Sequence, residues 1–90
     1  MKLWTLKPRD DNQEAWKPWY DKAFGFVIRA ESEERAREIA NANGGDETGE
    51  ISNKIYRRGG NPWLDTKQST CVELLAEGFE EIIIKDFYSA

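Results

Sequence analysis

A chain of 90 residues with a net charge of −4 is one domain, and at this size folding buries only roughly 60–65% of the surface of the unfolded chain. The acidic balance argues against general phosphate-backbone binding, and a single cysteine excludes an internal disulfide. Histidine is absent, which removes the commonest general base, the commonest metal ligand and every Ser–His or Cys–His pairing.

Lys2 to Lys7 predicts a first strand, with Trp4 and Leu6 on one face, Leu3 and Thr5 on the other, and Pro8 ending the ladder because it has no N–H to donate. It is expected to pair with 23–30, where Phe24, Phe26, Ile28 and Ala30 alternate with Ala23, Gly25, Val27 and Arg29. Apolar residues on both faces predict a central strand there. The connection between them places Trp16, Pro18, Trp19 and Tyr20 within five positions. Two readings apply: rings folded over the sheet to complete a small core, or an aromatic binding surface rimmed by Lys17, Asp21 and Lys22.

Ser32 predicts an N-cap for a main helix over 32–43, with Glu33 and Glu34 at the positive end of its dipole. Ala36, Ile39 and Ala40 form its apolar stripe, Glu33 and Arg37 a favourable i,i+4 pair, and Asn43-Gly44-Gly45 the stop. From 43 to 68 loop chemistry dominates. Ile51, Asn53 and Ile55 alternate with Ser52, Lys54 and Tyr56, which makes 51–57 a candidate fourth strand. Lys54, Arg57 and Arg58 precede Gly59-Gly60-Asn61-Pro62, a basic loop able to meet phosphate or an acidic protein surface. Asp46, Glu47 and Glu50 gather carboxylates, but their spacing is not that of a calcium-binding EF-hand. Neither glycine pair matches a nucleotide-binding fingerprint.

Thr70-x-x-Glu73 is a capping box, and with Leu74, Leu75 and Gly78 it predicts a short helix over 70–77. Cys71 would then lie near a helix N-terminus, where the dipole lowers a thiol pKa. Glu80 to Tyr88 predicts a last interior strand, about 81–88, with isoleucine on both faces. The expected fold class is α+β: a small antiparallel sheet of three to four strands (2–7, 23–30, 81–88 and the candidate 51–57), the main helix and the short one.

The succession A-x-S-E-E-x-A-R, W-L-D, S-T-C-x-x-L-x-x-x-G and an isoleucine-rich strand ending in D-F, carried by Ala30–Arg37, Trp63–Asp65, Ser69–Gly78 and Ile82–Phe87, resembles small, largely uncharacterised accessory proteins of bacteriophages and mobile elements. Arg35 stands where that pattern has a third acidic residue, and Thr48 to Asn61 is an insertion relative to it. The resemblance implies a protein that binds and inhibits a host component, as anti-CRISPR and antirestriction proteins do, and brings no active site.

These patterns assign no catalytic, cofactor or metal residue and predict a non-enzymatic interaction module in the cytoplasm, as a monomer or homodimer, with a host protein as partner and no membrane. Nucleic acid is the disfavoured alternative partner, through the basic 54–63 loop. Candidate partner contacts are Trp16, Trp19, Tyr20, Tyr56, Arg57, Arg58 and Trp63, and the acidic residues Glu73, Glu77, Glu80, Glu81 and Asp86 could imitate phosphates against a basic surface.

Overall fold

The computed structural model describes residues 1–17, 21–48 and 60–85. Three strands form one antiparallel sheet: β1 (Lys2–Pro8), β2 (Phe26–Ala30) and β3 (Ser69–Glu73), in the order β2-β1-β3. Trp4 lies opposite Ile28 on one side and Glu73 on the other, and Leu6 opposite Phe26 and Cys71. The α+β class therefore holds, and the first two strands pair as the alternation requires. The central position belongs to β1, however, while β2 begins at Phe26 and occupies an edge.

β2 and β3 both run antiparallel to β1, so they are parallel to each other and need a crossover between them. Helix α1 (Glu33–Ala42) supplies it. Its start is as the sequence dictates: Ser32 is extended and its Oγ accepts from the Arg35 N–H at 3.2 Å. Two alanines on the helix, Ala36 and Ala40, are fully enclosed, and their small side chains let the backbone approach a sheet face built from Leu6, Ile28 and Ala30. Asn43 ends the helix, its N–H bonded to the Ala40 carbonyl at 3.1 Å. Gly45 then passes so close to Asp21 that a Cβ would collide with the Asp21 carbonyl group, which fixes glycine at this position.

Two elements differ from expectation. Residues 69–73 are a strand, not the start of a helix over 70–77: Thr70 and Val72 alternate with Ser69 and Cys71, and five consecutive partners on β1 outweigh a capping box worth about one turn of local structure. With that edge taken by β3, residues 81–85 lie outside the sheet, so the described part of the expected 81–88 strand is not one. The candidate strand 51–57 falls outside the described residues.

The core is aromatic. Trp63 meets Trp16 edge to face with ring centroids 4.7 Å apart and Phe26 at 5.0 Å. Each of the three described indole N–H groups has an acceptor: Trp63 donates to Glu47 Oε2 at 2.8 Å, Trp16 to the Gln68 carbonyl at 2.9 Å and Trp4 to the Ala30 carbonyl at 3.0 Å. Glu47 is itself buried, and its carboxylate also accepts from the N–H groups of Ala23 and Gly45. That single side chain joins the loop before β2 to the loop after α1.

Arg37 crosses the same core. Only 6% exposed, it donates from Nε to Glu33 at 2.9 Å, from Nη1 to the Trp63 carbonyl at 2.9 Å and Ser69 Oγ at 2.8 Å, and from Nη2 to the Ser69 carbonyl at 3.2 Å. Arg37→Ala leaves those acceptors without their donor and opens a gap between α1 and β3, so it is expected to cost about 3 kcal/mol of unfolding free energy. Arg37→Lys, with a compact charge and no planar fork, recovers less than half of that. Urea denaturation of the three proteins measures the order; equal midpoints would contradict it.

Candidate interaction surface

Strand alternation gives the sheet two unlike faces. Trp4, Leu6, Ile28, Ala30 and Cys71 point toward α1 and the tryptophans. Leu3, Thr5, Lys7, Val27, Arg29, Thr70 and Val72 occupy the other face, which no described helix or strand covers. Among the described residues, the segment 81–85 lies against it. A furrow of about 430 Å³ separates that segment from β2, lined by Thr5, Lys7, Phe24, Gly25, Val27, Ile84 and Lys85 among others. A second, of about 390 Å³, runs on the β3 side between Thr5, Lys7, Thr70, Val72, Glu73 and Leu74 and residues Glu81, Ile82 and Ile83.

Six large apolar side chains line these furrows while remaining exposed: Phe24, Val27, Val72, Ile82, Ile83 and Ile84, each between 43% and 79% accessible. Exposed apolar side chains are ordinary one at a time, but six of them gathered along two adjoining furrows mark a surface suited to contact with another molecule. Phe24 carries a cation on its ring, with Lys22 Nζ 4.8 Å from the centroid, and the same ammonium donates to the Trp16 carbonyl at 2.9 Å. The furrows differ in charge. The β2-side lining contains Lys7 and Lys85 and no carboxylate, whereas the β3-side lining contains Glu73 and Glu81 with Lys7.

The residues singled out from sequence fall elsewhere. Trp16 and Trp63 are 1% and 0% exposed, so in this fold they are core and offer a partner nothing; of the two readings of the aromatic connection, Trp16 follows the first. Removing Trp63 from the surface also removes it as a stacking platform for bases. Trp19, Tyr20, Tyr56, Arg57 and Arg58 lie outside the described residues, as do Lys54, Glu50 and Asp86. Glu73, Glu77, Glu80 and Glu81 are at least partly accessible, and Glu73 is engaged by Lys2 at 3.5 Å.

The acidic loop is structural. Asp46 Oδ2 accepts from the Asp21 N–H at 3.3 Å, and Glu47 is enclosed by the donors described above. Among the described residues no three acidic, cysteine or histidine side chains are grouped to hold a metal ion. Asp65 is held below the usual carboxylate range by the Lys67 N–H and the Gln68 amide, which close the turn leading into β3.

Cys71 sits mid-strand rather than at a helix N-terminus. Burial pushes its thiol up, with Arg37 pulling the other way and Glu33 adding to the rise. A raised thiol pKa leaves little thiolate near neutrality. Reaction with a small alkylating reagent should therefore be slower at pH 7.5 than that of an unfolded cysteine peptide and should accelerate only as pH climbs past the ordinary thiol range. A folded protein labelled as fast as the peptide would contradict the burial effect.

No described helix is long and apolar enough to cross a membrane. No family model matches this chain, and neither curated proteins nor solved structures yield a match.

This face has no signature in the sequence because its residues are ordinary one by one. Val27 and Val72 stand on strands separated by 45 positions and become neighbours of one surface only through β1. The available signal was the alternation of Thr70 and Val72, masked by the capping box.

Proposed function

We propose that the chain is a non-enzymatic protein-interaction module that acts by occupying a site on a larger partner. The supporting observation is the sheet face that no described helix or strand covers, where six exposed apolar side chains surround Thr5 on a scaffold whose other face carries the core. A row of valines and isoleucines flanked by Lys7, Arg29, Lys85, Glu73 and Glu81 has the make-up of an interface, with an apolar centre and a charged rim. The scaffold suits that role. α1 and the tryptophans hold the strands from behind, so the front can meet a partner without the fold rearranging.

The absence of histidine and the raised Cys71 thiol both favour binding over catalysis. The resemblance of Ala30–Arg37, Trp63–Asp65 and Ser69–Gly78 to phage accessory proteins directs the choice of partner to a host protein, such as a CRISPR or other nucleic-acid-handling defence complex. The accessible Glu77, Glu80 and Glu81 beside the apolar face would suit the basic surface such a complex presents to nucleic acid.

Affinity capture from a bacterial host lysate with the wild-type chain and with Val72→Lys tests the proposal. Val72 is 61% exposed, so the substitution should change stability by less than about 1 kcal/mol while weakening a specific partner at least about tenfold. Raising the salt to about 0.5 M should weaken the same complex much less than V72K does, because apolar contact is not screened. A captured partner indifferent to V72K but lost in salt would shift the contact to the acidic residues and overturn the assignment of the face.

A further inference from the structure

Residues 81–85 read Glu-Ile-Ile-Ile-Lys, a sequence that complements itself when one copy is laid against another in reverse. Glu81 then meets Lys85, Ile82 meets Ile84, and Ile83 meets Ile83. Isoleucine is among the strongest strand formers, yet these three stand outside the sheet with 43% to 76% of each side chain exposed. Their placement matters as much as their identity. The segment lies over the middle of the open face, with Glu81 to Ile83 on the β3 side and Ile84 and Lys85 on the β2 side.

We infer that the open face is closed by the same face of a second copy, with the two 81–85 segments antiparallel about a two-fold axis through Ile83. This rests on the reading of that face as a protein-binding surface and names the occupant it takes when no other partner is present. Three observations carry it. A two-fold contact needs a surface complementary to itself, and the segment has that property residue by residue. The same axis lays the β2-side furrow, lined by Lys7 and Lys85 and no carboxylate, over the β3-side furrow, where Glu73 and Glu81 outnumber Lys7, so the lysine of one copy's segment meets the glutamate of the other's on both sides. The exposed Phe24, Val27, Val72, Ile82, Ile83 and Ile84 supply the apolar centre that a protein–protein contact needs. Dimer formation hides the binding face, so a partner must compete with the second copy for it.

Sedimentation equilibrium of the full chain from about 1 µM to about 1 mM tests the inference, a range that spans the affinity of modest interfaces. The expected result is a reversible monomer–dimer equilibrium. E81K and K85E should each weaken it by about tenfold, since each sets like charges opposite one another twice per dimer. Mixed in equal amounts they should associate again, because a pairing between the two variants restores both contacts. I83K, which puts two ammonium groups on the axis, should leave only monomer; circular dichroism confirms that the variants fold.

A chain that stays monomeric across the range, a dimer unmoved by I83K, or charge variants that fail to complement would each overturn the dimer. The proposed function has a separate readout. If the chain is monomeric and V72K still releases a captured protein, the second copy is excluded and the binding face stands; if V72K changes neither, both fall.

Discussion

The guanidinium of Arg37 is the contact on which the arrangement depends. It leaves the fifth residue of α1 and reaches through the core to the Trp63 and Ser69 carbonyls and the Ser69 hydroxyl, while Nε stays with Glu33 one turn back. A buried cation is tolerable only when its donors are used, and here two of the four acceptors are backbone oxygens that would themselves be costly to leave unpaired. The Glu33 carboxylate is partly in water, which limits what the ion pair alone contributes. The geometric result is larger than the electrostatic one. The helix, the turn at 61–68 and the first residue of β3 are fixed to one another by one planar group, and Ser69 Oγ extends the fixation by donating to the Pro62 carbonyl at 2.7 Å.

Around that contact the tryptophans divide the work of a small core. In a domain this short the apolar contacts must be large and few, and Trp16 and Trp63 fill space between helix and sheet that alanines on α1 leave open. Large rings bring polar N–H groups inside with them. Glu47 answers one of these, and doing so brings a carboxylate into the core, where it is held by the Ala23 and Gly45 N–H groups as well. The chain before β2 on one side and the 44–48 loop on the other is thus pinned by polar contacts that apolar packing made necessary.

Those features explain what could and could not be read from the sequence. β1, the Ser32 cap, the Glu33–Arg37 pair and the Asn43 stop are local, set by periodicity and neighbours within a few positions, and they appear where the residues place them, whereas β2 keeps only the 26–30 part of its expected span and lies at an edge. The segment 69–73 is decided by long-range pairing. Its capping box is a local preference, and the Trp4–Pro8 edge of β1 offered it a full ladder. The isoleucine alternation of 81–88 is likewise a local preference, and β3 already holds the edge of β1 that such a strand would need. Trp16 is open to a core and a surface reading from sequence and Trp63 is placed among the partner contacts there, because a ring's burial depends on what packs behind it, here Arg37, Glu47 and Phe26 from three different segments. The open face is the least legible feature, since it exists only once β2 and β3 stand on either side of β1.

The open face is also what the size of the chain leaves over. One ten-residue helix covers one side of a three-stranded sheet, and the described residues contain no second helix to cover the other. A sheet with one bare apolar side is an unstable proposition for an isolated small domain unless its other side is held very firmly, since bare strands invite pairing and aggregation. The polar pins at Arg37 and Glu47 meet that requirement, because they order the back of the sheet by directional bonds that do not depend on the front being covered. Residues 81–85 screen the front only partly, leaving their isoleucines and the two valines accessible. A fold held from behind in this way keeps an apolar front without the front deciding whether it folds, and that separation is the physical condition the proposed binding through the sheet, rather than through a loop, requires.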